Sequence, residues 1–280
     1  MQNQTGESTA MVVALRERFP EATEAECKRF LLACENGKKS DDEVEKEAIE
    51  LLSDYLAWRK RHGLDSESST KSDDAVGDAS DWNYATKKAF LSGASEDRSS
   101  ATPNRLSQFI FLHDLQKEEE RKPIRDKNGN PILHVMPGMI DRKASTAETY
   151  GLAISLYLDR KLNRESCEKM TVLLDVRAGH GWPNPTAFEM IGFVRKVTKI
   201  VQAHYPERCD SLIIFPVPRV AMSLWHAMKL VFRHGMMDKV ALIPGPADRD
   251  SPLPKSMLEE FIDSEVLEIT EQERSNRFML

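Results

Sequence analysis

Three short apolar runs, at 171–176, 212–217 and 239–243, alternate with two stretches of helical periodicity. Each run is short for a buried helix and rich in apolar residues, as in Leu212, Ile213, Ile214 and Phe215. Such runs read as strands buried on both faces. Strands that alternate with helices and lack a polar face of their own predict a mostly parallel sheet with covering helices. That is an α/β fold. A further strand is expected over 132–136. It follows a turn-forming segment in which Asp126, Asn128, Gly129, Asn130 and Pro131 cluster.

The helical stretches carry start and stop signals. A helix is expected over 147–162, and 106–120 also reads as helical. Asn184 and Pro185 offer a cap and a first-turn proline. The helix they open places Met190, Val194, Val197 and Val201 on one face and stops before Pro206. In 219–233, at about 100° per residue, Val220, Leu224, Trp225, Met228 and Phe232 share one arc. Arg219, His226, Lys229 and Arg233 gather on the adjoining arc. Such a helix either packs on a core with a solvated basic side, or shields a cavity and meets an anionic membrane surface.

Residues 10–64 read as all-helical. Met11, Val12, Leu15 and Phe19 recur at helical spacing until Pro20. Thr23 and Glu26 form a capping-box pattern for the next helix. Asp41 or Asp42 caps a longer one, with Val44, Ala48, Leu51, Leu52, Tyr55 and Trp58 inward and Gly63 at its end. The acidic, serine-rich stretch 65–80 cannot bury enough apolar area to order itself. A short helix over 82–91 is expected within the connecting region. The organisation is therefore a helical N-terminal domain (1–64), a linker (65–104), an α/β domain (105–271) and a polar tail (272–280).

Bulk properties narrow the function classes. The net charge of −6 argues against general nucleic-acid binding. The four cysteines, Cys27, Cys34, Cys167 and Cys209, show no metal-ligand spacing and suit a reducing compartment. No metal or cofactor is expected. The first residues show no basic region followed by an apolar one, so no signal peptide is expected. No apolar run approaches the ~18 residues that a spanning helix needs. The expectation is a cytoplasmic protein that meets membranes only peripherally.

Several of these segments together resemble the CRAL-TRIO family of lipid-transfer proteins. Lys28-Arg29-Phe30-Leu31-Leu32-Ala33 is similar to the R-F-L-x-A motif of the family's helical N-terminal domain, and Trp58-Arg59 to its W-R ending. The segment Asp126 to Pro131 is similar to the family's D-x-x-G-x-P turn, and the strand closing on Asp175 to its aspartate-ended strand. Tyr205-Pro206-Glu207-Arg208 is the Y-P-E-R motif, Val217-Pro218 stands at its A-P position, and Lys239 matches its strand-opening lysine. The matches keep family order from about residue 24 to 267.

The resemblance implies a sheet that floors an apolar pocket holding one lipid, with a mobile helix as gate and exchange at a membrane surface. Leu174, Ile213 and Phe215 are then the floor, and Val220, Leu224, Trp225, Met228 and Phe232 the gate. Glu207, Lys239 and Arg208 are the headgroup candidates, since in the phosphatidylinositol branch the matching glutamate and lysine belong to that site. Glu207 and Arg208 as a fixed ion pair is the alternative. This chain departs from that branch at Met236, which replaces a threonine and cannot donate a hydrogen bond, and at Glu35. Non-enzymatic binding and transfer of a lipid, a phospholipid above all, is the leading expectation. A membrane-recruited interaction module without net transfer is the second. A hydrolase-like enzyme using Asp175 and His180 is the third, and Asp175 also reads as an acceptor for loop amides. No catalytic residue is assigned under the leading reading.

Overall fold

The structure, a computed structural model, describes residues 2–35, 39–65, 110–113, 124–140, 142, 146–179, 186–219 and 237–278. Three helices come first: α1 (Gln2–Arg18), α2 (Glu24–Cys34) and α3 (Asp41–Arg61). The expected capping box opens α2, with the Thr23 hydroxyl accepting from the Glu26 amide and the Glu26 carboxylate from the Thr23 amide. In α3 the cap is Ser40, reciprocated by Glu43, rather than Asp41 or Asp42. The two aspartates fall in the first turn, where their charge complements the helix dipole. Gly63, at φ 64°, supplies the left-handed residue that ends α3.

A five-stranded sheet runs in the order β1 (Ile110–His113), β2 (Ile132–Val135), β3 (Met170–Asp175), β4 (Cys209–Val217), β5 (Val240–Pro244). Strands β2 to β5 are parallel, as the apolar runs predicted. Strand β1 is antiparallel to β2 and corrects the helix expected over 106–120. Ile110 and Phe111 are β-prone residues, and pairing with β2 outweighs a local helical period. The rest of that stretch lies outside the described residues, as does 66–109.

Because the strands follow one another without reversal, right-handed crossovers carry their helices to one side of the sheet. Helix α4 (Ala147–Lys161) joins β2 to β3 and α5 (Ala187–His204) joins β3 to β4. They pack closely: a Cβ on Gly151 would sit 2.8 Å from Ile200 Cδ1. Helix α5 is capped by Thr186 with Glu189, not by Asn184, which lies outside the described residues. The opposite side of the sheet is covered by α6 (Lys255–Leu258) and α7 (Ser264–Phe278). Helix α7 runs through most of the stretch expected to be a polar tail.

Two apolar clusters result. One merges Leu15, Phe30, Leu52 and Trp58 of the first three helices with Tyr157, Met190 and Leu133 of the α4–α5 side. The helical segment is thus part of the same core as the sheet. Buried polar groups pin it there. Arg59 of α3 donates to Asp159 of α4, and Glu26 of α2 accepts from Arg164 at 2.8 Å. Trp58 stacks on His204 with ring centroids 3.9 Å apart. The second cluster joins Ile132, Leu173, Ile213, Phe215 and Ile243 to Leu258, Ile262 and Leu267 of the C-terminal region.

Candidate ligand-binding site

Helix α5 ends at His204 because Pro206 cannot continue it. The four residues that follow divide their roles. The Tyr205 hydroxyl turns inward and donates to Asp159 at 3.1 Å. Arg208 is buried and donates to the carbonyl of Glu168 at 2.8 Å and to that of Asn163. Arg29 of α2 grips the same loop, donating to the Ser166 carbonyl at 2.7 Å. Burial and the neighbouring Arg29 bring the Arg208 guanidinium down to about 10. Arg208 therefore serves as a strap on the α4–β3 loop, and the alternative reading, a Glu207–Arg208 ion pair, gives way to pairing of Glu207 with Lys239. Between these inward residues, Glu207 adopts φ 55°, a left-handed conformation that costs a non-glycine residue about 1–2 kcal/mol. That turn sends the Glu207 carboxylate outward while its neighbours stay buried.

Lys239 meets it from the next strand. Strands β4 and β5 are parallel neighbours, so their starts lie at one edge of the sheet, and the short turn Met237–Lys239 delivers the lysine there. Lys239 Nζ lies 3.1 Å from Glu207 Oε2 and donates to the Cys209 carbonyl at 3.2 Å. Side-chain exposures of 25% for Lys239 and 32% for Glu207 keep the pair within reach of a ligand. An ammonium has three N–H donors, and these two acceptors account for two among the described residues. Sequence reasoning named both members of this pair. Parallel pairing brings them together.

Further along the strands, one face of the same sheet is apolar. Register aligns Val135 with Leu174, Leu174 with Ile214, and Ile214 with Leu242, a continuous aliphatic row across four strands. All four are half-buried. Val135 packs against the α4–α5 cluster, whereas Leu174, Ile214 and Leu242 belong to neither cluster. Of the three expected floor residues, only Leu174 lies on this face. Ile213 and Phe215 point the other way, into the core beneath α6 and α7. Successive strand residues alternate faces, and an unbroken apolar run carries no polar beat to show which is which. Register supplies the three members that the sequence reading missed, Val135, Ile214 and Leu242. Val220, Leu224, Trp225, Met228 and Phe232 lie outside the described residues, as does His180.

Asp175 closes β3 and is sealed. It accepts from the Arg177 amide at 3.0 Å, as a structural acceptor should, and pairs with the Arg177 side chain at 2.6 Å and Arg274 at 3.0 Å. Arg177 reaches on to Glu271 of α7 at 2.6 Å. A carboxylate only 1% exposed between two guanidinia is closed to a substrate. Among the described residues, no three His, Cys, Asp or Glu side chains are grouped to hold a metal, and no helix is long and apolar enough to cross a membrane.

Comparison with known proteins adds independent findings. Residues 122–270 match the model of the CRAL/TRIO domain. The phosphatidylinositol transfer protein CSR1 of Eremothecium gossypii is 29% identical over 147 residues, covering 50% of this chain and 29% of that protein. A CRAL-TRIO domain-containing protein of Schizosaccharomyces pombe is 26% identical over 106 residues, covering 38% of this chain and 10% of that protein. The chain thus spans less than a third of each relative's length. The crystal structure of Sfh5 aligns with a TM-score of 0.46 at 14% identity, covering 85% of this chain and 68% of that one. The family match takes in β2 to β5, the Glu207–Lys239 pair and the aliphatic row, and the chain belongs to the CRAL/TRIO domain family.

Proposed function

We propose that the protein is a non-enzymatic carrier that holds one phospholipid against the half-buried sheet face and exchanges or presents it at membranes, working in the cytoplasm. The observation that carries this reading is the half-buried row Val135, Leu174, Ile214 and Leu242 on the sheet that carries the Glu207–Lys239 pair at the starts of β4 and β5. The row suits acyl chains. Burial contributes roughly 0.8 kcal/mol for each CH₂, which offsets much of the cost of carrying a lipid through water. The ion pair suits a headgroup that both donates and accepts hydrogen bonds: hydroxyls can donate to Glu207, while Lys239 faces phosphate as a point charge. Arg208 takes no part, because it is buried and its two terminal nitrogens hold carbonyls. The similarity to a phosphatidylinositol transfer protein supports this class of cargo.

Mass spectrometry of lipid extracted from the purified protein, beside Lys239→Ala, tests the reading. The expected result is one phospholipid per chain, depleted in the variant. An apolar cargo retained equally by the variant removes the headgroup assignment and keeps the pocket. A protein that carries no lipid and binds vesicles without moving lipid between them overturns the carrier reading in favour of a membrane-recruited module.

A further inference from the structure

The cations of the α/β part are mostly spoken for. Arg125 pairs with Glu168, Arg142 with Glu189, Lys196 with Glu148, Lys239 with Glu207, and Lys255 with Glu268. Helix α5 departs from this pattern. Arg195 and Lys199 are exposed and enter no hydrogen bond or ion pair among the described residues. They stand at i and i+4, a like-charged spacing that weakens a helix. Viewed down the axis they fall about 40° apart, in one exposed arc with Gly192, Lys196 and Ala203. The acid at the margin of this arc, Glu189, is engaged by Thr186 and Arg142. Gly192 and Ala203 carry little or no side chain, and a Cβ at Gly192 would meet nothing within 4 Å. A flat surface can therefore approach the helix closely between the cations.

The placement is informative. Met190 and Phe193, on the other side of α5, belong to the cluster that covers the β2 part of the aliphatic face. The basic arc thus lies on the same side of the sheet as the half-buried Leu174, Ile214 and Leu242. It is locally positive on a chain whose net charge is −6. We infer that the exposed face of α5, through Arg195 and Lys199 with Lys196 beside them, is the surface that docks the protein on an anionic lipid bilayer and sets the sheet face toward it. The inference rests on the carrier reading and adds the orientation of the carrier on its membrane. The partner that fits is a flat, negatively charged surface, because the cations are spread along an exposed helix face.

The test is vesicle co-sedimentation of the full chain and of the double variant Arg195→Glu/Lys199→Glu, with phosphatidylcholine vesicles containing or lacking phosphatidylserine. Each cation near such a surface contributes roughly fivefold to partition. The double variant should therefore lose at least about tenfold on the anionic vesicles, and added salt should release the unmodified protein. Equal partition of the two proteins, or binding insensitive to salt and to phosphatidylserine, overturns the inference. Arg195→Gln/Lys199→Gln, with circular dichroism unchanged, guards against an effect of charge reversal on folding and should fall between the two. Extracted lipid is measured on the same samples. Full cargo in a double variant that no longer sediments supports the docking face. A protein without cargo that still sediments through Arg195 and Lys199 fails as a carrier and keeps its docking face.

Discussion

Two ion pairs at opposite edges of the same sheet show how burial sorts charge into structure or binding. Asp175 and Arg177, at the end of β3, are each 1% exposed and are closed in by Arg274 and Glu271. Glu207 and Lys239, at the starts of β4 and β5, are 32% and 25% exposed and satisfied mainly by one another. Removing one partner of a buried pair strands the other without water. Removing one partner of a half-open pair lets water replace it. The first arrangement fastens α7 to the sheet; the second leaves a donor and an acceptor for a visitor.

The largest effect is expected at the sealed edge. Arg177→Ala leaves Asp175 and Glu271 without their shared cation and should destabilise the fold by about 3–5 kcal/mol in chemical denaturation. A loss below about 1 kcal/mol would erase the distinction between the two edges.

Neighbouring residues of one strand sharpen the comparison from faces rather than edges. Ile213→Ala should cost about 2–5 kcal/mol, the range for a truncation in a packed core. Ile214→Ala, on the half-buried face, should cost less and instead lower the amount of extracted lipid. Equal stability losses with unchanged cargo would show that both faces are ordinary core.

A pH effect of intermediate size is expected where α5 meets the helical segment. Burial, with His62 nearby, lowers the His204 imidazole to about 4. The unfolded chain then binds this proton first. Stability from the neutral ring is complete above the unfolded value near 6.5 and is lost as pH falls toward about 4, by up to about 3 kcal/mol. Urea midpoints measured across that window should fall with pH, and His204→Phe should flatten the slope. The smallest change is expected at the open edge: Lys239→Ala should alter stability by about 1 kcal/mol or less while depleting cargo. A larger loss would make that pair structural too.

Much of this architecture is legible in the chain because it is local. Thr23 with Glu26 is a capping box whatever lies around it, and Gly63 ends α3 through its own backbone freedom. The apolar runs at β3, β4 and β5 announce strands, though one face of them is only half-buried, and their alternation with helices predicts parallel pairing. Glu207 and Lys239 were identifiable by their motif positions. Tertiary structure decided what depends on pairing. Ile110 to His113 became a strand because β2 offers it a ladder. Ile213 and Phe215 went to one face and Leu174, Ile214 and Leu242 to the other because register, which no uniformly apolar run encodes, sets the parity. Arg208 became a strap and Glu207 an outward carboxylate paired with Lys239 because one left-handed turn parts two adjacent side chains. Local physics names the elements of this protein; the faces and partners of its charged and apolar groups follow only once the strands have met.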